Sequence, residues 1–138
     1  MNNSAQSRFF ILLASLFGGL GVALGALGAH SLKPLVEPRL LEVFNTAVLY
    51  QLIHALALLA LAIWMRQESA PHKMLGRAAW AWIVGILLFS GSLYAYVLTY
   101  TLAGVRVFAL MTPVGGVSFI LGWMGLFWAA WKTPAPRP

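Results

Sequence analysis

The stretch GGLGVALGALGAH, Gly18–His30, sets the terms for the whole chain. Its glycines at 18, 21, 25 and 28 recur at steps of three, four and three, which places all four on one face of a helix. That face carries almost no side chain. Between helices in lipid, burial of apolar surface supplies no net drive, and a groove of this kind lets a second backbone come close and gain packing contacts. The stretch reads as the second half of a first membrane span and as the packing hub of a small helical bundle, closed by one polar group, His30.

Composition agrees with that reading. The chain has 138 residues, is 61% hydrophobic and only 9% charged, far below the roughly one-quarter charged residues of an average soluble domain. Four charge-free runs, between Arg8 and Lys33, Glu42 and Arg66, Arg77 and Arg106, and Arg106 and Lys132, are each longer than the roughly 20 residues a spanning helix needs. They use nearly the whole sequence, so function is expected inside the bundle, in its short loops or on a partner. With no cysteine, disulfides, thiolate metal sites and cysteine nucleophiles are excluded together. There is no aspartate, and Glu37, Glu42 and Glu68 fall in connecting segments, whereas ion- and proton-coupled pumps keep a carboxylate within the membrane. The net charge of +6 comes from basic residues flanking apolar spans, which act as orientation signals, so nucleic-acid binding is not expected. Arg8 ahead of an apolar run with small residues at 26–29 has the outline of a secretory signal. The uncharged run 9–32 exceeds the roughly 7 to 15 residues of a signal core, so a retained span is expected.

In chain order, one transmembrane domain, 1–138, is expected to hold spans at about 9–30, 43–65, 78–101 and 107–131. Residues 1–7 are polar and read as a frayed tail. Lys33-Pro34 and Glu37-Pro38 break the first connection, and Pro38 suits the first turn of the second helix. Residues 67–75, with Pro71, His72 and Lys73, read as a short wet loop, and 102–106 as a tight turn. Thr112-Pro113 either kinks the fourth helix or marks its first turn. That helix repeats the small-residue pattern of the first: Gly115, Ser118, Gly122 and Gly125 again step by three, four and three. The equal registers predict that helices one and four are close antiparallel neighbours. Counting Lys and Arg gives Arg8, Arg66, Lys73, Arg77, Lys132 and Arg137 on the side of the termini against Lys33, Arg39 and Arg106 on the other, which predicts cytoplasmic termini. Trp64, Trp80, Trp82, Trp128 and Trp131 fall at the terminus-side boundary, as an interfacial belt would.

Every helix contributes a polar group to the half of the membrane away from the termini. His30 ends the first, Gln51 and His54 share a face of the second, Ser90, Ser92 and Tyr94 lie in the third, and Thr112 opens the fourth. Exposure to lipid is costly, so these are expected to form an inward seam. Three readings of the seam stand side by side. It is an interhelical hydrogen-bond network; or His30 and His54 are haem ligands or hydrogen-bond partners of a quinone; or the groups line a small-molecule or ion pathway. Depth argues against a shared haem, because His54 lies about 15 Å into its helix while His30 sits at a helix end. His72 reads as a solvated loop residue. No nucleotide loop, metal motif or nucleophile elbow is present.

GALGAHSL (25–32), FNTAVLYQLIHALALL (44–59), GILLFSGSLYAY (85–96) and MTPVGGVSFILGW (111–123) resemble domain-of-unknown-function family 423, which includes the bacterial YgdD-like proteins and the animal transmembrane protein 256. The resemblance spans nearly the whole chain and implies a four-helix integral membrane protein, in bacteria of the inner membrane, without an established activity. The family's recurring polar positions match His30, Gln51, His54, Ser90, Ser92, Tyr94, Thr112 and Pro113 here. The expectation is therefore an all-α, up-down-up-down four-span bundle in the bacterial inner membrane. Its function is expected to be that of a non-enzymatic structural or accessory subunit acting through helix packing. The alternative is small-molecule, quinone or haem binding or transport in a pocket of His30, Gln51, His54 and Tyr94. The expected partners are the bilayer, a host membrane-protein complex or further copies of the chain. No catalytic residue, metal ligand or resident cofactor is expected.

Overall fold

A computed structural model describes residues 3–67, 70, 72–104 and 111–133. Four helices carry the chain: α1, Asn3–Leu32; α2, Pro38–Trp64; α3, His72–Ala103; and α4, Met111–Lys132. No strand occurs among the described residues, and the fold is all-α. All four are long and apolar enough to cross a membrane.

Local chemistry sets the helix ends. Glu37 is extended (φ −60°, ψ 148°), as the residue before a proline must be, and Pro38 occupies the first helical position, where its missing N–H costs nothing. Pro113 is the third residue of α4 as described, Met111–Lys132, a first-turn position in which proline is tolerated. Gly104 ends α3 with φ +67°, the left-handed conformation that glycine adopts without strain, and its N–H bonds the Tyr100 carbonyl at 2.9 Å. Two wide turns interrupt the α-geometry, at Gly28–Leu32 in α1 and Ile86–Ser90 in α3. Each shifts the faces of the residues that follow it.

Two starting points differ from the sequence reading, and a third lies outside the described residues. Residues 3–7 are helical, and Ser7 is buried with its Oγ donating to the Ala62 carbonyl at 2.7 Å, so they are not a frayed tail. That bond fixes the start of α1 against the end of α2. The third helix begins at His72, some five residues before the Arg77 that the charge pattern marks. His72 is therefore not a loop residue; its Nε2–H donates to the Met65 carbonyl at 2.9 Å and closes the connection. The fourth span was expected from residue 107; 107–110 and the end of the 102–106 turn lie outside the described residues.

The predicted pairing of α1 with α4 is corrected by the structure. α1 packs along α2, and α4 along α3, while α2 and α3 form the central pair. Gly21 accepts Leu52, Gly25 accepts Val48 and Gly28 accepts Phe44, all from α2. On the other side Gly115 lies against the Phe89 backbone, Gly122 against the Trp82 ring and Gly125 against Ala78, all from α3. Each glycine face is occupied by the helix next to it in sequence: Phe44, Val48 and Leu52 fill the groove of α1, and the Trp82 ring, the Phe89 backbone and Ala78 meet that of α4. The physical reason is volume and proximity: a groove facing a second groove leaves space, whereas Phe44 or Trp82 fills it, and short connections bring those residues in first. Gly18 faces open space, and Ser118 bonds its own helix at the Val114 carbonyl.

The apolar interior has two parts. One holds Phe10, Leu58, Leu61, Leu75, Trp82 and Phe119 toward the terminus end, the other Leu40, Phe44, Val48 and Val97 toward the opposite end. Trp82 is 0% exposed and so does not belong to an interfacial belt, unlike Trp80, Trp128 and Trp131, which face outward.

Candidate functional site: polar nodes between two apolar cores

Gln51 and His54 fall on α2 where the two apolar clusters meet, each only 4% exposed. Three residues apart on a helix, they share a face but diverge enough to reach different neighbours. Gln51 Nε2 donates to the Phe17 carbonyl of α1 at 2.7 Å, and its Oε1 accepts from the Tyr94 hydroxyl of α3 at 3.0 Å. One amide thus ties three helices together. The Phe44 ring packs against Tyr94 with centroids 5.1 Å apart and holds the phenol in place.

His54 reaches the fourth helix. Its Nδ1 lies 2.8 Å from the Tyr50 carbonyl, which only accepts, so Nδ1 carries the proton. Nε2 then has a lone pair, and it accepts from Trp123 Nε1–H at 3.1 Å. Phe119 stacks on the imidazole at 3.6 Å between centroids and 12° between planes, and Trp82 and Trp123 meet edge to face at 4.9 Å. The imidazole is boxed by aromatic rings with both nitrogens engaged.

A third node joins α3 to α4. Ser92 Oγ–H donates to the Phe89 carbonyl at 2.9 Å, which leaves the Thr112 hydroxyl to donate to Ser92 Oγ across 2.7 Å. Ser90, two residues earlier, is 0% exposed, and its Oγ has no hydrogen-bond partner among the described residues; the same holds for Trp82 Nε1.

The expected seam is therefore three separate nodes rather than one pocket. Gln51 and Tyr94 meet, Ser92 and Thr112 meet, and His54 pairs with a residue outside the expected set. His30 does not join them: it is exposed in the wide turn that ends α1. The juxtaposition of His30 with His54 fails because α1 packs beside α2 with its last turn at the far end, against Phe44. A shared haem does not fit this donor set, since His54 spends both nitrogens within the protein and His30 is remote from it. No three His, Cys, Asp or Glu side chains converge to hold a metal among the described residues. Sequence reasoning missed Trp123 and Phe119, although their spacing of four beside the glycine stripe of α4 places an aromatic pair next to the inward face.

A family of proteins of unknown function, DUF423, matches residues 24–116, the interval that carries Gln51, His54, Tyr94 and Thr112. The chain belongs to the DUF423 family. Among relatives of this DUF423 protein, a UPF0382 membrane protein of Staphylococcus aureus is 38% identical over 91% of this chain and 97% of its own length. A UPF0382 membrane protein of Haemophilus influenzae is 37% identical over 90% and 94% respectively. The UPF0382 inner membrane protein YgdD of Escherichia coli is 39% identical over 85% of each chain. None of these names carries an activity. No solved structure matches. With four apolar helices and this kinship, the DUF423 chain is a membrane protein.

Proposed function

We propose that this chain is a non-enzymatic structural or accessory subunit that assembles with other membrane components through the outward face of α1. The observation that carries the reading is the closure of the His54 node: its two ring nitrogens are bonded to Tyr50 and Trp123, which leaves this buried imidazole no free nitrogen to act as a general base. The one carboxylate of α2, Glu42, lies in its first turns, about 18 Å along the helix from His54. Meanwhile Gly19 presents exposed backbone with nothing within 4 Å of a would-be side chain. An up-down-up-down crossing of a bacterial inner membrane with both termini cytoplasmic accompanies this reading, on the strength of the basic side chains at the terminus end.

The test is native mass spectrometry of protein extracted gently from its own membrane, without overexpression. A whole additional chain bound to the 15.0 kDa protein, lost on Gly19→Leu, is the expected result. Gly122→Leu is not a test of docking, because Gly122 faces Trp82 inside the bundle. A bare monomer overturns the proposal.

Binding of a quinone or another amphipathic small molecule is a second reading, favoured by one observation. Two apolar clefts of about 380 and 210 Å³ share Leu24 and Tyr94, and the smaller one reaches Gln51. Together they form a furrow open to lipid with a phenol and an amide at its floor. An added mass of a few hundred daltons that disappears in Tyr94→Phe supports this reading over the first.

A further inference from the structure

We propose that the terminus end of the α1/α2 seam binds one anionic membrane lipid, with its phosphate beside Arg66 and an acyl chain in the furrow below. The head site is a cavity of about 440 Å³ between the first turn of α1 (Asn3, Ser4), the turn that follows α2 (Met65, Arg66, Gln67) and His72. Its walls are pinned by contacts already described: Ser7 bonds the Ala62 carbonyl and His72 bonds the Met65 carbonyl. Gln6 also packs on Gly76 of α3. Apart from Met65 the lining side chains are polar, and the Asn3 and Gln67 amides, the Ser4 hydroxyl and the Arg66 guanidinium can donate to a phosphate.

Charge at this end is mainly basic, with Glu68 in the connecting segment as its one acidic residue. Arg8 follows Ser4 by one turn of α1, and Lys73 and Arg77 lie in the first turns of α3. The described acidic side chains, Glu37 and Glu42, stand at the opposite end of α2, roughly 40 Å away at 1.5 Å per residue; Glu68 lies outside the described residues. Trp80 and Trp128 face outward near the same end of the bundle, and Lys132 lies over the Trp128 ring at 5.2 Å. Outward tryptophan and basic side chains together mark the level of lipid headgroups.

The furrow makes the occupant a lipid rather than a free phosphate. An apolar groove of about 370 Å³ runs between α1 and α2, lined by Ala14, Ser15, Gly18, Leu52, Leu56 and Leu59. Asn3 and Ser4 precede Ala14 and Ser15 by eleven residues, close to three whole turns, so head site and groove lie on one face of α1. Leu59 lies five residues before the end of α2, and Arg66 stands in the turn just beyond that end, its N–H bonded to the Ile63 carbonyl at 3.0 Å. Ala14 lies about 16 Å along α1 from Asn3, within reach of an acyl chain that starts at the headgroup level.

The test is native mass spectrometry of the full-length protein in detergent, titrated in parallel with dioleoylphosphatidylglycerol and dioleoylphosphatidylcholine, with thermal melting to verify folding. One phosphatidylglycerol per chain is expected to be retained at least about fivefold more tightly than phosphatidylcholine. Arg66→Gln is expected to lower that retention about fivefold, and Arg39→Gln, the same charge change at the other end, to leave it unchanged. Gly18→Leu, placed in open space, fills the groove and is expected to lower retention with the head site intact. Equal retention of the two lipids overturns the proposal, as does an equal loss in Arg39→Gln, which would mean diffuse attraction. Displacement by inorganic phosphate at the same concentration, or full retention in Gly18→Leu, removes the acyl chain from the site and overturns it as well.

Discussion

Trp123 on α4 donates its indole N–H to Nε2 of His54 on α2 across 3.1 Å, and this is the hydrogen bond that joins the second helix to the fourth. It decides the tautomer of the imidazole in concert with the Tyr50 carbonyl and leaves both ring nitrogens engaged. The bond also brings α4, which otherwise packs on α3, into register with the center of the bundle.

A double-mutant cycle measures that link. Trp123→Phe keeps a ring against Trp82 but leaves Nε2 without its donor, and His54→Phe removes the acceptor. The two are expected to couple by about 0.6 kcal/mol, and by no more than about 1.7 kcal/mol, the range for interhelical hydrogen bonds in membranes. Reversible unfolding in mixed micelles reads the coupling; strict additivity would show that the indole and imidazole merely touch.

Ser90 and Ser92 look alike in the sequence and are expected to respond in opposite directions. Ser92→Ala breaks the contact with Thr112 and costs about 1 kcal/mol. Ser90→Ala removes a buried hydroxyl that has no partner among the described residues, so stability is held or raised. Melting temperatures of the two variants under identical detergent conditions check the contrast.

Glycines of one repeat are also expected to differ. A methyl group at Gly115 collides with the Phe89 backbone, which has no side-chain torsion to relieve it, and Gly115→Ala is expected to cost about 1–3 kcal/mol. Gly19→Ala projects into open space and should stay within about 0.5 kcal/mol of the parent. Equal losses at the two positions in the same unfolding assay would contradict the observed α3/α4 approach.

Topology is accessible to thiol labelling because the chain has no cysteine of its own. Lys132→Cys is expected to be shielded from a membrane-impermeant maleimide in intact cells and labelled after lysis. Leu35→Cys, 73% exposed in the first connection, is expected to be labelled in intact cells. The reverse pattern would invert the orientation derived from Lys and Arg.

Four spans, the proline that starts α2, the family and an inward place for Gln51 and His54 were legible from the residues alone. Each follows from a local property: run length against bilayer thickness, the missing N–H of proline, and the cost of polar groups in lipid. The partners of those residues were not legible. The step of three, four and three marks a face without saying what fills it, and equal registers in α1 and α4 invited a pairing that the bulk of Phe44, Phe89 and Trp82 decides otherwise. Likewise a lone histidine at a helix end and another at mid-helix look equivalent as letters. Only the packing of α1 on α2 and of α4 on α3 leaves His30 outside and places Trp123 against His54, because side-chain volume in three dimensions, not spacing along one helix, chooses which surfaces meet.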